Sequence, residues 1–187
     1  PVILFAAKFT TVKAPEELLS AFARVYDKFA ADSSPYLLFV GDGPLRGALE
    51  ESARPLGDAV RFLGFRNQSE LPALYDMCDV FALPSRFEPW GLVVNEAMNA
   101  GRPVIVSDRV GAAADLVEDG VNGFVYPSGD VDALASRLLQ ILESPAEMGE
   151  RSLERITSWD FEADRRGLVE ALSAVCQKRM PVRMGGS

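Results

Sequence analysis

Pro84–Asp108 reads PSRFEPWGLVVNEAMNAGRPVIVSD. The apolar run Asp79–Leu83 enters it as a strand and is stopped by Pro84-Ser85. Pro89 and Gly91 mark a turn, a helix follows from about Gly91 to Ala100, Gly101 ends it, and Val104–Ser107 is short, apolar and β-branched. The segment is therefore strand, loop, helix, strand. It carries two glutamates with seven residues between them, Glu88 in the loop and Glu96 inside the helix.

The same alternation extends in both directions. Val2–Ala7, Tyr36–Val40, Val60–Leu63 and Gly123–Tyr126 read as further strands. Pro15–Ala31 has apolar residues at helical spacing, with Pro15 suited to a first turn where a missing N–H has no cost. Helices are also predicted around Leu45–Arg54, from an N-cap at Ser69 through Tyr75, and over Val131–Leu142, Ala146–Thr157 and Phe161–Lys178. Strands alternating with helices imply right-handed βαβ units, hence an α/β fold with a doubly wound, Rossmann-like parallel sheet of about six strands. Such sheets bind ligands outside the carboxyl ends of the strands, which directs attention to the loops after Ala7, Val40, Leu63, Leu83 and Val106. One domain is expected over 1–180, with 181–187 a disordered tail. Pro1–Leu4 begins directly in a strand pattern, which reads as a cut at a domain boundary.

Composition removes several classes of function. Of 187 residues, 48% are hydrophobic and 25% charged, the balance of a soluble globular chain. A net charge of -8 opposes binding to nucleic acid or anionic lipid, so a diphosphate ligand would need a local basic cluster. With no histidine, neither a Ser-His-Asp triad nor a histidine metal site can be assembled, and no metal is expected. Cys78 and Cys176 are isolated and read as ordinary reduced thiols. No apolar run has the length of a membrane span, and a cytoplasmic location is expected, with membrane association of the parent left open.

The chemistry of the opening segment suits a nucleotide diphosphate. The N–H groups near Gly91 and Leu92 lack helical partners and face an approaching anion with the helix dipole behind them. Ionised Glu96 can accept from two neighbouring hydroxyls, as a ribose diol offers. Glu88, nearer the strand end, suits hydroxyls of a sugar beyond the phosphates. Lys8 and Lys13, after the first strand, are the cations that would offset two carboxylates beside a diphosphate. Trp90 reads as packing under this loop, and Trp159 as an anchor for the last helix.

The chain resembles the donor-binding, C-terminal half of the retaining GT-B glycosyltransferases of group 1, family 4. The Glu-x7-Glu segment is joined by Gly41-Asp42-Gly43-Pro44, Val60–Gly64, Tyr75 through Pro84-Ser85, Gly120–Phe124 and Ser158-Trp159-Asp160 in the order that family shows. The resemblance implies Glu96 on the ribose, Glu88 on the donor sugar, the Gly91 and Leu92 amides on the distal phosphate and Lys13 on the diphosphate. It also implies that Leu63–Phe65 flanks the base and that Ser85 belongs to the nucleotide-sugar site. Three positions depart from the pattern: Ala7-Lys8 stands for Gly-Arg, Ala14 for a glycine, and Ala112–Asp115 for a glycine-rich turn ending in Glu. Lysine keeps the charge but loses the bidentate fork of arginine.

Three functions remain open on sequence alone. The parent transfers a sugar from a nucleotide-diphosphate donor to an acceptor hydroxyl, with its acceptor-binding N-terminal domain elsewhere and no cofactor. The chain is a non-catalytic nucleotide-sugar module. Or the parent is a sugar-nucleotide epimerase of related architecture.

Overall fold

The computed structural model describes residues 1–29 and 34–178. They fall into two compact units, Pro1–Ile156 and a second beginning at Thr157. In the first, strands β1 (Val2–Ala6), β2 (Tyr36–Val40), β3 (Val60–Gly64), β4 (Val80–Leu83), β5 (Val104–Ser107) and β6 (Gly123–Tyr126) form one sheet in the order β3-β2-β1-β4-β5-β6. Every pairing is parallel. The expected doubly wound α/β sheet is therefore present.

Alternation along the strands divides the core. Ile3 and Phe5 of β1 face a cluster with Leu18, Phe22 and Val25 of α1 (Pro15–Tyr26) and Leu138 and Ile141 of α6 (Val131–Glu143). Leu4 and Ala6 face the other cluster, with Tyr75 of α3 (Leu71–Met77), Val94 and Ala97 of α4 (Leu92–Asn99), Leu116 of α5 (Ala113–Leu116) and Ile156 of α7 (Pro145–Thr157). A sheet covered on both faces has strands that are apolar at nearly every position, and β4 and β5 are buried throughout. α2 (Arg46–Ala53) continues into a 3-10 turn over Arg54–Ala59.

Four local expectations change. The helix from Pro15 stops at Tyr26, and the last two residues of its expected extension, 30 and 31, lie outside the described residues. Ser69 is not a cap: α3 starts at Leu71 after Glu70, whose carboxylate accepts from the Asn67 N–H at 2.8 Å. α5 occupies a stretch read only as a turn, because one helical turn is too short to show a period. The fourth strand starts at Val80 rather than Asp79. In the second unit, α8 spans Phe161–Lys178 as expected, and Asp160 accepts from the Ala163 N–H at its start. The tail 181–187 lies outside the described residues.

Candidate functional site

Because all six strands run the same way, the loops after them gather at one edge. The order reverses between β1 and β4, so the loop carrying Lys8 and Lys13 faces the loop carrying Ser85, Glu88 and Gly91 across the switch point.

The first of these loops is held by backbone. Phe9 is fully buried, its N–H donates to the Asp42 carbonyl, and its own carbonyl accepts from Leu45. The turn Gly41-Asp42-Gly43-Pro44 thus clasps the segment after β1. A Cβ on Gly41 would lie 2.0 Å from the Ala7 carbonyl oxygen, so only glycine fits. Ala14, where the resembled family favours glycine, is the non-glycine residue at positive φ among the described residues (φ 49, ψ 44). It is the N-cap of α1, and Lys13 precedes it.

The second loop is stitched between strands. The Glu88 N–H donates to the Arg109 carbonyl, and the Glu88 carbonyl accepts from Gly111, so the Glu88 backbone is laddered beside the loop after β5. Gly91 (φ 100) is the N-cap of α4, and a Cβ there would crowd Val110, Glu88 and Leu83. Among the described residues, no carbonyl is hydrogen-bonded to the N–H groups of Gly91 and Leu92. Trp90 packs on the second core cluster and donates from its indole to Asn95, the packing role expected for it.

The two loops meet through side chains. Lys13 Nζ forms an ion pair with Glu88 Oε2, their side chains 25% and 15% exposed. Two residues before Glu88, Arg86 makes a second tie. Its N–H donates to the Val12 carbonyl at 2.7 Å, and its guanidinium bonds Glu17 at 2.8 Å and Glu16 at 3.2 Å. Glu17 is buried at 4% exposure, and its other oxygen accepts from the Gly129 N–H after β6. One carboxylate therefore links the loops after β4 and β6 to the first turn of α1. Tyr126 is buried beside it, its phenol ionisation raised by burial first and by the Glu17 charge second. Sequence reading missed Arg86 and Glu17; neither has a local signature, since 69 residues separate them.

Three clefts open along this edge. One of about 420 Å³ is lined by Ala7, Lys8, Gly41, Asp42, Phe65 and Leu71, among others. Leu71 also lines the next, of about 470 Å³, with Gln68, Tyr75, Glu96 and Asn99. In it Tyr75 Oη donates to Glu96 Oε2 at 2.8 Å. The third, about 630 Å³, lies on Glu88 with Asp108, Gly111 and Ala114. Phe65 and Leu92 are among the most exposed apolar side chains, at 74% and 69%. Leu63 is part-buried and packs on the second core cluster, and these three clefts are lined without it. Ser85 is fully buried, and its Oγ lacks a partner among the described residues while its carbonyl accepts from Ser107.

The fold and its edge define a Rossmann-like domain with its ligand-receiving loops at the switch point. A family profile described as "Glycosyl transferases group 1" matches residues 1–158, and the chain belongs to that family. It is similar to an uncharacterized glycosyltransferase of Methanocaldococcus jannaschii, 40% identical over 129 residues, covering 67% of this chain and 32% of that protein. It is also similar to the alpha-D-kanosaminyltransferase of Streptomyces kanamyceticus, 31% identical over 156 residues, with coverages of 82% and 39%. Among solved structures, Anabaena HepE in complex with UDP-glucose aligns with a TM-score of 0.73 and 29% identity over 92% of this chain and 48% of that one. The chain thus spans about a third to two fifths of the length of these curated relatives. Among the described residues, no helix is long and apolar enough to cross a membrane.

Proposed function

We propose that this chain is the donor-binding half of a retaining glycosyltransferase that uses a UDP-sugar, with the acceptor bound by an N-terminal domain of the same parent. The observation that carries the reading is the meeting of Lys13 with Glu88 across the switch point, beside the N–H groups at the start of α4, with Glu96 further along the same helix. UDP-glucose bound to a structural neighbour supports the choice of donor.

In this reading the base lies by Phe65 in the cleft with Lys8, and the ribose diol meets Glu96 where Leu71 joins the two clefts. The diphosphate crosses the N-terminus of α4. Lys8, Lys13 and the Gly91 and Leu92 N–H groups stabilise the charge that develops on it as the sugar departs. The Gly91 and Leu92 N–H groups are held by the helix they begin, so little reorganisation of them is needed as charge builds. Glu88 accepts from hydroxyls of the donor sugar, Leu63 flanks the base beside Phe65, and the buried Ser85 lies within the loop after β4. Residues 1–180 act as one functional half, in the cytoplasm and without a metal.

Calorimetry with UDP-, GDP- and ADP-sugars tests the reading: the chain binds a UDP-sugar best and transfers nothing by itself. Radiolabelled sugar transfer by the full-length parent completes it. Failure of the chain to bind any of the three overturns the donor-site reading. Donor epimerisation by the parent without an acceptor replaces transferase with epimerase.

A further inference from the structure

Tyr75 has a place in this site that the motif reading does not give it. It lies on α3, while the carboxylate it touches belongs to α4, 21 residues further on. Its ring is 2% exposed and packs edge-on against Phe81, with centroids 5.7 Å apart and planes at 70°. A ring wedged in that way fixes the position of its hydroxyl. The hydroxyl donates to one oxygen of Glu96, the carboxylate at the mouth of the cleft that also contains Gln68 and Asn99. Burial, with the Glu96 charge behind it, raises the phenol's ionisation far above its ordinary range, so the group remains a donor at any working pH.

A glutamate side chain on a helix has three rotatable bonds and would otherwise sample several rotamers at a water-filled cleft. The phenol removes that freedom. It engages Oε2, so Oε1 is the oxygen left for a ligand in the cleft that Glu96 lines. We propose that Tyr75 is the positioning residue of Glu96, anchoring one carboxylate oxygen so that the other is presented, already oriented, to the ribose hydroxyls. The proposal rests on the ribose reading of Glu96 given above. It also revises the simple picture of a carboxylate free to use both oxygens: one of them is already bonded.

The test compares UDP with 2′,3′-dideoxy-UDP, which lacks both hydroxyls, by calorimetry on this chain. The unaltered chain prefers UDP by roughly ten- to a hundredfold, the range for a charged acceptor meeting hydroxyls. Tyr75→Phe keeps the ring and removes the donor. It is expected to lower that preference by roughly three- to tenfold, while dideoxy-UDP affinity stays within about twofold. A merely structural tyrosine would weaken both ligands equally, and that result, or an unchanged preference, overturns the proposal. Glu96→Asp supplies a second measurement with Tyr75 intact. Tethered to the phenol, the shortened carboxylate falls short of the diol, so the preference drops; a preference retained in Glu96→Asp overturns the anchor. Glu96→Ala separates the two levels. If it abolishes the preference while Tyr75→Phe leaves the preference unchanged, only the positioning role fails; if Glu96→Ala leaves the preference intact, the ribose reading fails and takes the proposal with it.

Discussion

Lys13 and Glu88 are paired before any donor arrives, which makes removal of one unlike removal of the other. In Lys13→Ala the diphosphate loses a charge-assisted contact, a loss of about 1.5–3 kcal/mol. Glu88, 15% exposed, is then left as a bare carboxylate beside the incoming anion. At a separation of about 6 Å and an effective dielectric of about 20, each unit of phosphate charge is repelled by roughly 2–3 kcal/mol. Because Glu88 repels the anion in the unaltered chain as well, the lost contact sets the change, and UDP weakens by roughly ten- to a hundredfold. In Glu88→Ala the lysine is set free and the repulsion is removed, so UDP binds at least about tenfold more tightly, whereas UDP-glucose, which also loses its sugar contact, gains about tenfold less than UDP does. The double variant Lys13→Ala/Glu88→Ala removes the repulsion along with the attraction. It is expected to bind UDP at least tenfold better than Lys13→Ala alone. Isothermal calorimetry on the four proteins at low ionic strength measures all of this. A double variant that binds UDP no better than Lys13→Ala refutes the argument, because Glu88 would then not feel the diphosphate at all.

Arg86→Ala strands the buried Glu17 carboxylate and is expected to cost about 3 kcal/mol in urea unfolding. Arg24→Ala, breaking an ion pair with Asp132 whose side chains are 48% and 88% exposed, should change stability by less than about 0.5 kcal/mol. Ala14→Val places a β-branched side chain at φ 49 in a position with no exposure, and should lower stability by about 2 kcal/mol or more, read as melting temperature, while Ala14→Gly folds normally. Burial pushes the Cys78 thiol up to about 12, whereas Cys176 is exposed. Ellman's reagent at pH 8 should therefore titrate one thiol in the native chain and two after denaturation.

Periodicity made most of the fold legible. Strands buried on both faces are short unbroken apolar runs, and β5 and β6 were bounded to the residue by such runs. Helix starts were harder. At α3 the Ser69 hydroxyl looked like a cap, but Glu70 reaching back to Asn67 satisfies the backbone there. A single-turn helix such as α5 has no periodic signal to read. The motif loop was legible because its residues are adjacent in sequence, so Glu88, Gly91 and Glu96 could be placed on loop, cap and helix. What joins that loop to its surroundings was not: the partners Lys13 and Glu88 are 75 residues apart, and Glu17 and Gly129 are 112 apart. Those pairings are set by the parallel register of the sheet, which no local spacing encodes. Leu63 shows the complementary difficulty. Phe65 lies past the end of β3, where strand alternation no longer applies, and lines the cleft, while Leu63, still in the strand, packs on the second core cluster.

The Glu17 hub has a consequence for how such a domain can diverge. The frame that sets the charged groups is tied by hydrogen bonds from Arg86 and Gly129 to one carboxylate buried under the sheet edge. The wall of the cleft beside Glu88 is different material: Gly111, Ala113 and Ala114 present little or no side chain and leave about 630 Å³ of space. A larger or more polar residue at the exposed position 114 would reshape that space without breaking a bond of the hub. In the proposed donor-site reading, selectivity can drift along that wall while the groups assigned to the diphosphate stay fixed, so a change of donor sugar would need no rebuilding of the scaffold.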